Sequence, residues 1–598
     1  MKEKMLNLAQ KLLVPLILMS ISRLIFHLEN IEYFNFDSLN QIIGLTSIAV
    51  RLDLVMVLLV NSVFIVGYFL FSNQSRISKI ALRLIYFVPN TFLLLINLID
   101  VFYYPYIFKR INPSFFDYLA TQKNMGSLNI QFLTTYWYGL IALVVFIFVL
   151  NKVFNTQIKI TGHFKTKSYF KEIIVGLVIL MAVSSNYNPA KGIIRSNEVN
   201  PYLTNPHQKA LVLNTGYNIL EQTLFPIKQD EHLFTSKKDI HFNRVDQELK
   251  PNVVLLVLES FAHEASALLN SEIEKGYMPF LDSLMQKGYY FTNAFSNGRQ
   301  SMDAIPAIWN SLPAQEVPFI LKDPGSTSFF GLPKALKQQG YSTHFFHGAQ
   351  NGSMDFDRYA KQNQIDNYYG LQEYPKPKQD FDGTWGVWDE PFLQHTQTIL
   401  DEVNEPFFST VFTLSSHNPC KVPLQYENRF EGGDLDIYKS IEYSDYALRQ
   451  FFESAKTKSW YKNTLFVITA DHSIHPNSKK YASAENSFAI PLLFFSDDTN
   501  FQFQYKTSNR LAQHIDIFPS IMHVLKLKTN QPFSIGNNLF CNQSNHEVLN
   551  YYNGIYQFQT PDSTYLFSTE SQSSTNHRND LEDYLSNKTG LNLSLISN

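Results

Sequence analysis

The sequence predicts a multi-pass α-helical membrane domain followed by an α/β domain with a mainly parallel sheet covered by helices, ending in a small antiparallel subdomain. Three observations predict it. Apolar runs of membrane-spanning length crowd the first 190 residues, while most of the charge follows them. The stretch Asn252-Val253-Val254-Leu255-Leu256-Val257-Leu258 is too short to span a bilayer, but its continuous, β-branched character suits a strand buried on both faces. It stops at Glu259, and a second such run, Thr464 to Ala470, stops at Asp471-His472. A strand ending in an acid delivers it to the carboxyl edge of the sheet, where open α/β folds bind ligands.

Segments near 10–27, 45–72, 82–106, 134–154 and 172–187 are each apolar enough to cross, which predicts about five helices within residues 1–190. Lys2, Lys4 and Lys11 precede the apolar run Leu12 to Leu18, as in a signal peptide. Arg23 interrupts its end, no small-residue cleavage site follows and further spans come after, so the segment reads as an anchor. The connection 73–83 carries Arg76, Lys79 and Arg83, and 151–171 carries five lysines, whereas loop 28–44 has Glu29, Glu32 and Asp37 and no Lys or Arg. Positive loops stay cytoplasmic, which places everything after about residue 190 outside. Loop 107–133, with Lys109, Arg110 and Lys123, weakens that pattern without reversing it. Arg51 and Asp53 read as a snorkelling pair at the interface, with a lipid headgroup contact as the alternative.

Residues 191–250 form a polar juxtamembrane linker with Asn-Pro steps; its Gln208–Phe225 stretch has helical spacing, fitting either a helix on the membrane surface or a plain linker helix. From 251 to 545, strand-like runs end near Leu258, Phe346, Leu414, Ala470 and Phe495, with helix-like stretches at 330–339, 390–404, 439–456 and 510–526. Residues 546–598 form a last subdomain, a hairpin followed by a helix at 579–586. A net charge of −3 carries no basic excess, which argues against nucleic acid as a partner. Cys420 and Cys541 cannot build a disulfide framework or a cysteine zinc site; two separate thiols are expected, with a single bridge as the alternative outside the cytoplasm.

Between the two acid-ended runs lies Gly298-Arg299-Gln300-Ser301-Met302-Asp303, followed by a stretch that can enter a helix. A hydroxyl at a helix start meets unpaired N–H groups and a positive dipole end, a suitable place for an anion. Two acids, an imidazole and a hydroxyl on one edge suggest a divalent metal activating an alkoxide nucleophile. Taken singly, Glu259 reads equally as a helix-capping acid and Asp471-His472 as a surface turn. Arg299 can pair with a phosphate oxygen or sit on the surface. Trp385 can stack a sugar or close over a headgroup, or pack in the core.

At Glu259, the Gly-Arg-Gln-Ser box ending at Ser301, Phe346-His347-Gly348, Ser416-His417-Asn418-Pro419 and Ala470-Asp471-His472-Ser473, the chain resembles the lipoteichoic acid synthase-like proteins of the alkaline phosphatase and sulfatase superfamily. The resemblance implies a phosphotransferase of the bacterial cytoplasmic membrane with an extracytoplasmic catalytic domain. It implies one divalent ion, manganese first and zinc or magnesium as alternatives, on Glu259, Ser301, Asp471 and His472. Ser301, where those proteins usually carry threonine, would be the nucleophile. His347 and His417 would orient a phosphate or protonate the leaving alkoxide, in a site also lined by Arg299 and Trp385. The donor would be a membrane phospholipid and the acceptor an envelope glycan or lipid. The alternatives are a sulfatase-like phosphodiesterase using water at the same site, or a non-catalytic envelope scaffold. Ser301-Met302-Asp303-Ala304-Ile305 lacks the proline and arginine of a formylglycine motif, which disfavours a true sulfatase. Phosphoglycerol-binding members have an Asp after His-Gly and a Trp and an Arg beyond it; this chain has Ala349, Met354 and Phe356 there, so a different headgroup is expected.

Overall fold

The computed structural model describes residues 2–34, 36, 38–70, 75–107, 109–116, 136–156, 199, 203, 207–224, 250–321, 330–474, 476–483, 485–498, 501, 507–527, 536–541, 546–552 and 555–568. The chain folds as two compact units that divide after Pro226. The expected spans at 10–27, 45–72, 82–106 and 134–154 become α1 (Lys2–Glu29), α2 (Leu39–Val60) with α3 (Ser62–Leu70), α4 (Arg76–Ile107) and α5 (Trp137–Asn155). Among the described residues four helices, α1, α2, α4 and α5, are long and apolar enough to cross a membrane; the expected fifth span at 172–187 and the last helix at 579–586 lie outside the described residues. Among the described residues, exposed large apolar side chains such as Leu24, Val63, Ile77 and Phe148 crowd the first unit, whereas the second shows two, Leu424 and Tyr565. Only lipid accommodates the first pattern, and water suits the second.

Two expectations for the first unit are corrected. Asp53 pairs not with Arg51 but with Arg23 of α1, at 2.5 Å, with Asp53 fully buried. The stretch expected as one surface or linker helix is instead a broken pair, α6 (His207–Val212) and α7 (Thr215–Leu224), packed against α1, α2 and α4. Arg23 caps the end of α6: its Nη1 donates to the carbonyls of Leu211 (2.5 Å), Val212 (2.5 Å) and Leu213 (3.1 Å). Asn214 bridges the break, donating to Asp53 Oδ1 (2.9 Å) and accepting the amide of Tyr217 (2.7 Å). A second buried pair holds the other side. Arg110 lies 3.5 Å from Asp100 and donates to the Ala210 carbonyl, while Thr215 Oγ1 donates to Asp100 Oδ2. Helix ends buried away from water need such partners, and here the membrane helices supply them.

The second unit is an eight-stranded sheet. Its strands are β1 (Asn252–Leu258), β2 (Tyr289–Phe295), β3 (Ser342–His347), β4 (Asn367–Tyr369), β5 (Phe407–Phe412), β6 (Thr464–Ala470), β7 (Leu492–Phe495) and β8 (Thr507–Gln513), in the order β4-β3-β5-β1-β6-β7-β2-β8. Only β7 runs against its neighbours. Alternate residues of β1 feed two cores. Val253, Leu255 and Val257 meet α9 (Ser301–Asn310), α10 (Leu332–Gln338), α11 (Phe356–Gln362) and α14 (Ile517–Val524). Val254, Leu256 and Leu258 meet α8 (Pro279–Met285), α12 (Asp389–Leu400) and α13 (Asp436–Ala455). Burial on both faces is the reason for the unbroken apolar runs. The stretch 510–526, expected as helix, is half strand: β8 fills its start and α14 only its end. Strands β9 (Val548–Tyr552), β10 (Ile555–Gln559) and β11 (Thr564–Ser568) pair antiparallel in the order β11-β10-β9, one strand more than the expected hairpin.

Candidate active site

Four adjacent parallel strands, β3-β5-β1-β6, end side by side, and each hands a candidate residue to the same edge. His347 closes β3, His417 follows β5, Glu259 follows β1 and Asp471-His472 follow β6. The turn after β1 is strained, with Ser260 in the left-handed region at φ 55°. That turn lets the Ser260 amide donate to Asp471 Oδ1 (2.8 Å) and its hydroxyl to Glu259 Oε1 (2.7 Å). Thr413 Oγ1 accepts the Glu259 amide (2.9 Å), and the Ser416 hydroxyl donates to the Glu259 carbonyl. The loop before Ser301 is braced by the small sheet: Asn297 donates to the Leu549 carbonyl (2.7 Å), and its own carbonyl accepts the Tyr551 amide (3.1 Å). Ser301 then opens α9, with Oγ 3.3 Å from Glu259 Oε2.

Glu259, Asp471 and His472 each offer one ligand atom, all within 4.8 Å of one another. The His472 Nδ1 lies 3.0 Å from the Ser473 carbonyl, so the ring hydrogen belongs there and Nε2 carries a lone pair. That nitrogen faces Asp471 Oδ2 at 3.2 Å and Glu259 Oε1 at 3.8 Å. Asp471 Oδ2 is buried and accepts no hydrogen bond. Burial, and then the Asp471 charge beside it, push the Glu259 carboxyl well above the usual carboxylate range. Three buried acceptors facing one another repel, and a cation among them removes the conflict. The donor set fits a divalent metal ion.

The His347 ring is fully buried between Phe356 (4.9 Å) and Phe412 (5.5 Å), and burial followed by nearby His417 lower its pKa to about 3. Its Nδ1 lies 3.3 Å from the Tyr368 hydroxyl, a phenol that burial holds protonated, and its buried Nε2 has no partner. His417 packs on the Trp385 ring at 4.2 Å, with Nδ1 3.0 Å from the Asn418 carbonyl and a pKa lowered by burial to about 4. Trp385 is positioned by Asp382, which accepts its amide, and by its own Nε1 on the Asn418 carbonyl (2.7 Å). Arg299 is placed differently from a phosphate contact. It is buried, its guanidinium donates to the carbonyls of Ser487 and Ile474, and it lies over the Phe488 and Tyr552 rings. Met354 and Phe356, at the positions of the altered clamp, are both buried.

Sequence reasoning missed Tyr368. Asp389 sits buried at the start of α12 and accepts the amides of Leu414 and Ser415 and the Ser444 hydroxyl, fixing the turn into His417. An acid opening a helix was the visible signal for it. Tyr368 carried none.

Residues 251–527 match the sulfatase family. Over 313 residues the chain is 24% identical to the lipoteichoic acid synthase-like protein YvgJ of Bacillus subtilis, covering 48% of this chain and 49% of that one. It is 26% identical over 342 residues to the lipoteichoic acid synthase of Staphylococcus aureus, covering 53% and 51%. The chain is lipoteichoic acid synthase-like. It spans about half the length of the curated relatives it matches. The synthase-like chain also shares a fold with the integral membrane protein lipooligosaccharide phosphoethanolamine transferase A of Neisseria meningitidis, with a TM-score of 0.50 at 12% identity, covering 80% of this chain and 95% of that one.

Proposed function

We propose that this synthase-like chain transfers a phospho-headgroup from a membrane phospholipid to an envelope glycan or lipid through a Ser301 phosphoenzyme. The observation that carries the reading is the Ser301 hydroxyl at the start of α9, 3.3 Å from a carboxylate of the Glu259/Asp471/His472 cluster. Glu259, Asp471, His472 and Ser301 would hold one divalent ion, manganese before zinc or magnesium, and that ion would lower the hydroxyl pKa and neutralise phosphate charge. Ser301 Oγ attacks the donor phosphorus; the serine–phosphorus bond forms as the bond to the diacylglycerol oxygen breaks. The N-terminal amides of α9 favour the negative phosphate. His347, kept neutral by burial and with Tyr368 donating to Nδ1, turns an N–H at Nε2 toward the phosphate. His417, neutral beside Trp385 and with its ring hydrogen toward the Asn418 carbonyl, takes the proton released by the Ser301 hydroxyl on its free Nε2 and passes it to the departing alkoxide. An acceptor hydroxyl then takes the phospho-group and frees Ser301. Arg299 contributes by holding the 474–487 segment that follows the Asp-His pair, rather than by touching phosphate.

The reading places residues 251–545 as the catalytic domain and 546–598 as its accessory, outside the membrane, with 1–190 as the anchor and 191–250 leading outward. The apolar Ala349, Met354 and Phe356 lack the groups that would grip a glycerol headgroup, so phosphatidylethanolamine is the expected donor over phosphatidylglycerol.

Mass spectrometry of the reconstituted full-length chain, incubated with defined lipids, tests this directly. A Ser301 peptide carrying the headgroup mass, absent in Ser301→Ala, supports it. Diacylglycerol release that persists in Ser301→Ala overturns the nucleophile, and release to water alone, with no acceptor modified, replaces transfer by hydrolysis.

A further inference from the structure

Asp471 and His472 follow β6 and Ser301 follows β2, strands that are not neighbours, because β7 lies between them. The pairing of β6 with β7 ends at Thr469 opposite Leu492. The Ala470 carbonyl, one residue before Asp471, therefore lies beyond the ladder and needs another donor. A single turn after β8, His514–Asp516, supplies it: His514 donates from Nε2 to that carbonyl at 2.7 Å. The Thr469 hydroxyl is 3.4 Å from the same carbonyl but 3.0 Å from that of Pro491, and gives its hydrogen to the nearer one. The same turn reaches the nucleophile. The Ile515 amide donates to Asn297 Oδ1 (3.1 Å), and Asn297, just ahead of Ser301, donates to Gln513 Oε1 (2.8 Å). Past the other end of α9, the Ser311 hydroxyl donates to the Ile515 carbonyl (2.7 Å). Asp516 closes the turn by accepting the amides of Gln513 (3.1 Å) and Asn537 (2.6 Å). One turn thus grips the strand end that carries two ligands and both flanks of the helix that carries the hydroxyl.

His514 is 1% exposed, and its other ring nitrogen, Nδ1, is buried with no partner among the described residues. Burial lowers its pKa to about 4, so the ring is neutral and Nε2 keeps its hydrogen. A buried nitrogen left unmatched destabilises a fold, and an apolar side chain would fill the place without that cost. What the imidazole alone supplies is the N–H on Ala470. We infer that His514 is a positioning residue, which through the Ala470 carbonyl holds Asp471 and His472 at the separation from Ser301 that one ion can bridge. The inference rests on the metal and nucleophile roles proposed above. Groups that orient metal ligands from behind are worth about 10- to 100-fold in metal affinity or activity when removed.

The test compares the full-length chain in detergent with His514→Phe, which keeps a ring but no donor, and His514→Gln. The glutamine amide nitrogen stands as many bonds from Cβ as Nε2 does and can reach the same carbonyl. Manganese affinity is read by electron paramagnetic resonance of the free ion, turnover with bis(p-nitrophenyl) phosphate, and folding by thermal unfolding without metal. His514→Phe should bind manganese about tenfold more weakly. Its kcat should fall roughly 100-fold with KM little changed, because the hydroxyl and the ligands no longer stand in register. His514→Gln should recover most of both. Should the phenylalanine variant not fold, His514→Asn, too short to reach Ala470, takes its place with the same expectation. Manganese affinity and kcat unchanged in the donor-less variant, whatever its melting temperature, overturn the inference, as do equal losses in His514→Gln. A wild type that neither binds manganese nor cleaves the diester removes the catalytic reading itself, and this inference with it.

Discussion

Ser301 and Glu259 meet at 3.3 Å, hydroxyl to Oε2, while the other oxygen of the same carboxylate faces His472 Nε2 at 3.8 Å. One side chain therefore joins the hydroxyl at the start of α9 to the Asp-His pair at the end of β6. Its neighbourhood holds negative charge against negative charge, and that sets the sign of the first expectation.

Glu259→Gln removes the repulsion with Asp471 and also a metal ligand. Without metal the variant should melt above the wild type. With excess manganese the wild type should gain about 3–4 kcal/mol, as expected for a ligand at 100 to 1,000 times its Kd, and the variant little. Thermal unfolding with chelator and with manganese reads both arms.

Gly298→Ala should lower turnover without unfolding the chain. An added Cβ would stand 2.6 Å from the Asp303 Cβ, which belongs to the first turn of α9 and cannot swing aside. The helix start must shift, and Ser301 with it; misplacement on the ångström scale costs roughly 100-fold in rate. Turnover of a generic phosphodiester beside an unchanged circular dichroism spectrum checks this.

Stability should fall as pH falls from about 6.5 to about 4. Burial lowers His263 to about 4, with its Nδ1 on the Tyr481 hydroxyl and its Nε2 on the Thr292 carbonyl. The unfolded chain takes up that proton near pH 6.5 and the folded one only near pH 4, so between them the unfolded state binds more protons. His263→Gln should flatten the slope by about 1.4 kcal/mol per pH unit. Denaturant unfolding followed by tryptophan fluorescence reports it, since Trp309, Trp385, Trp388 and Trp460 all lie in the second unit.

Asp53→Ala should destabilise the first unit by up to about 3–5 kcal/mol, because it strands Arg23, whose side chain is only 13% exposed. Arg23→Met with Asp53→Met should recover only part of the loss, since the carbonyls of Leu211 to Leu213 then lose their donor. Melting of the detergent-solubilised variants ranks the three proteins.

How far the sequence was readable depended on whether partners were near one another in the chain. The apolar runs of β1 and β6 announced their own burial, and the acids ending them announced the edge. Strands β2 and β8 were missed because Tyr289–Phe295 and Thr507–Gln513 mix polar and apolar residues, and their pairing is long-range. The Arg23–Asp53 pair joins two helices, so nothing near Asp53 distinguished Arg23 from the closer Arg51. The helical spacing of apolar residues over Gln208–Phe225 fitted a surface or linker helix, yet all residues of α6 but Leu211 are buried, held by groups from α1, α2 and α4. Arg299 in the Ser301 box looked like a phosphate ligand because its carbonyl partners, Ile474 and Ser487, lie more than 170 residues away.

The grip of Arg23 on α6 sets an order of assembly. Arg23 lies on α1, but the last carbonyl it binds, that of Leu213, is made 190 residues later. Until then a guanidinium on a membrane helix has only Asp53 and the Ala49 carbonyl of α2 for company. The membrane unit is therefore finished only when the segment leading into the second unit has been made and folded back, so a chain halted before residue 224 should be an unfinished bundle, open to quality-control proteolysis.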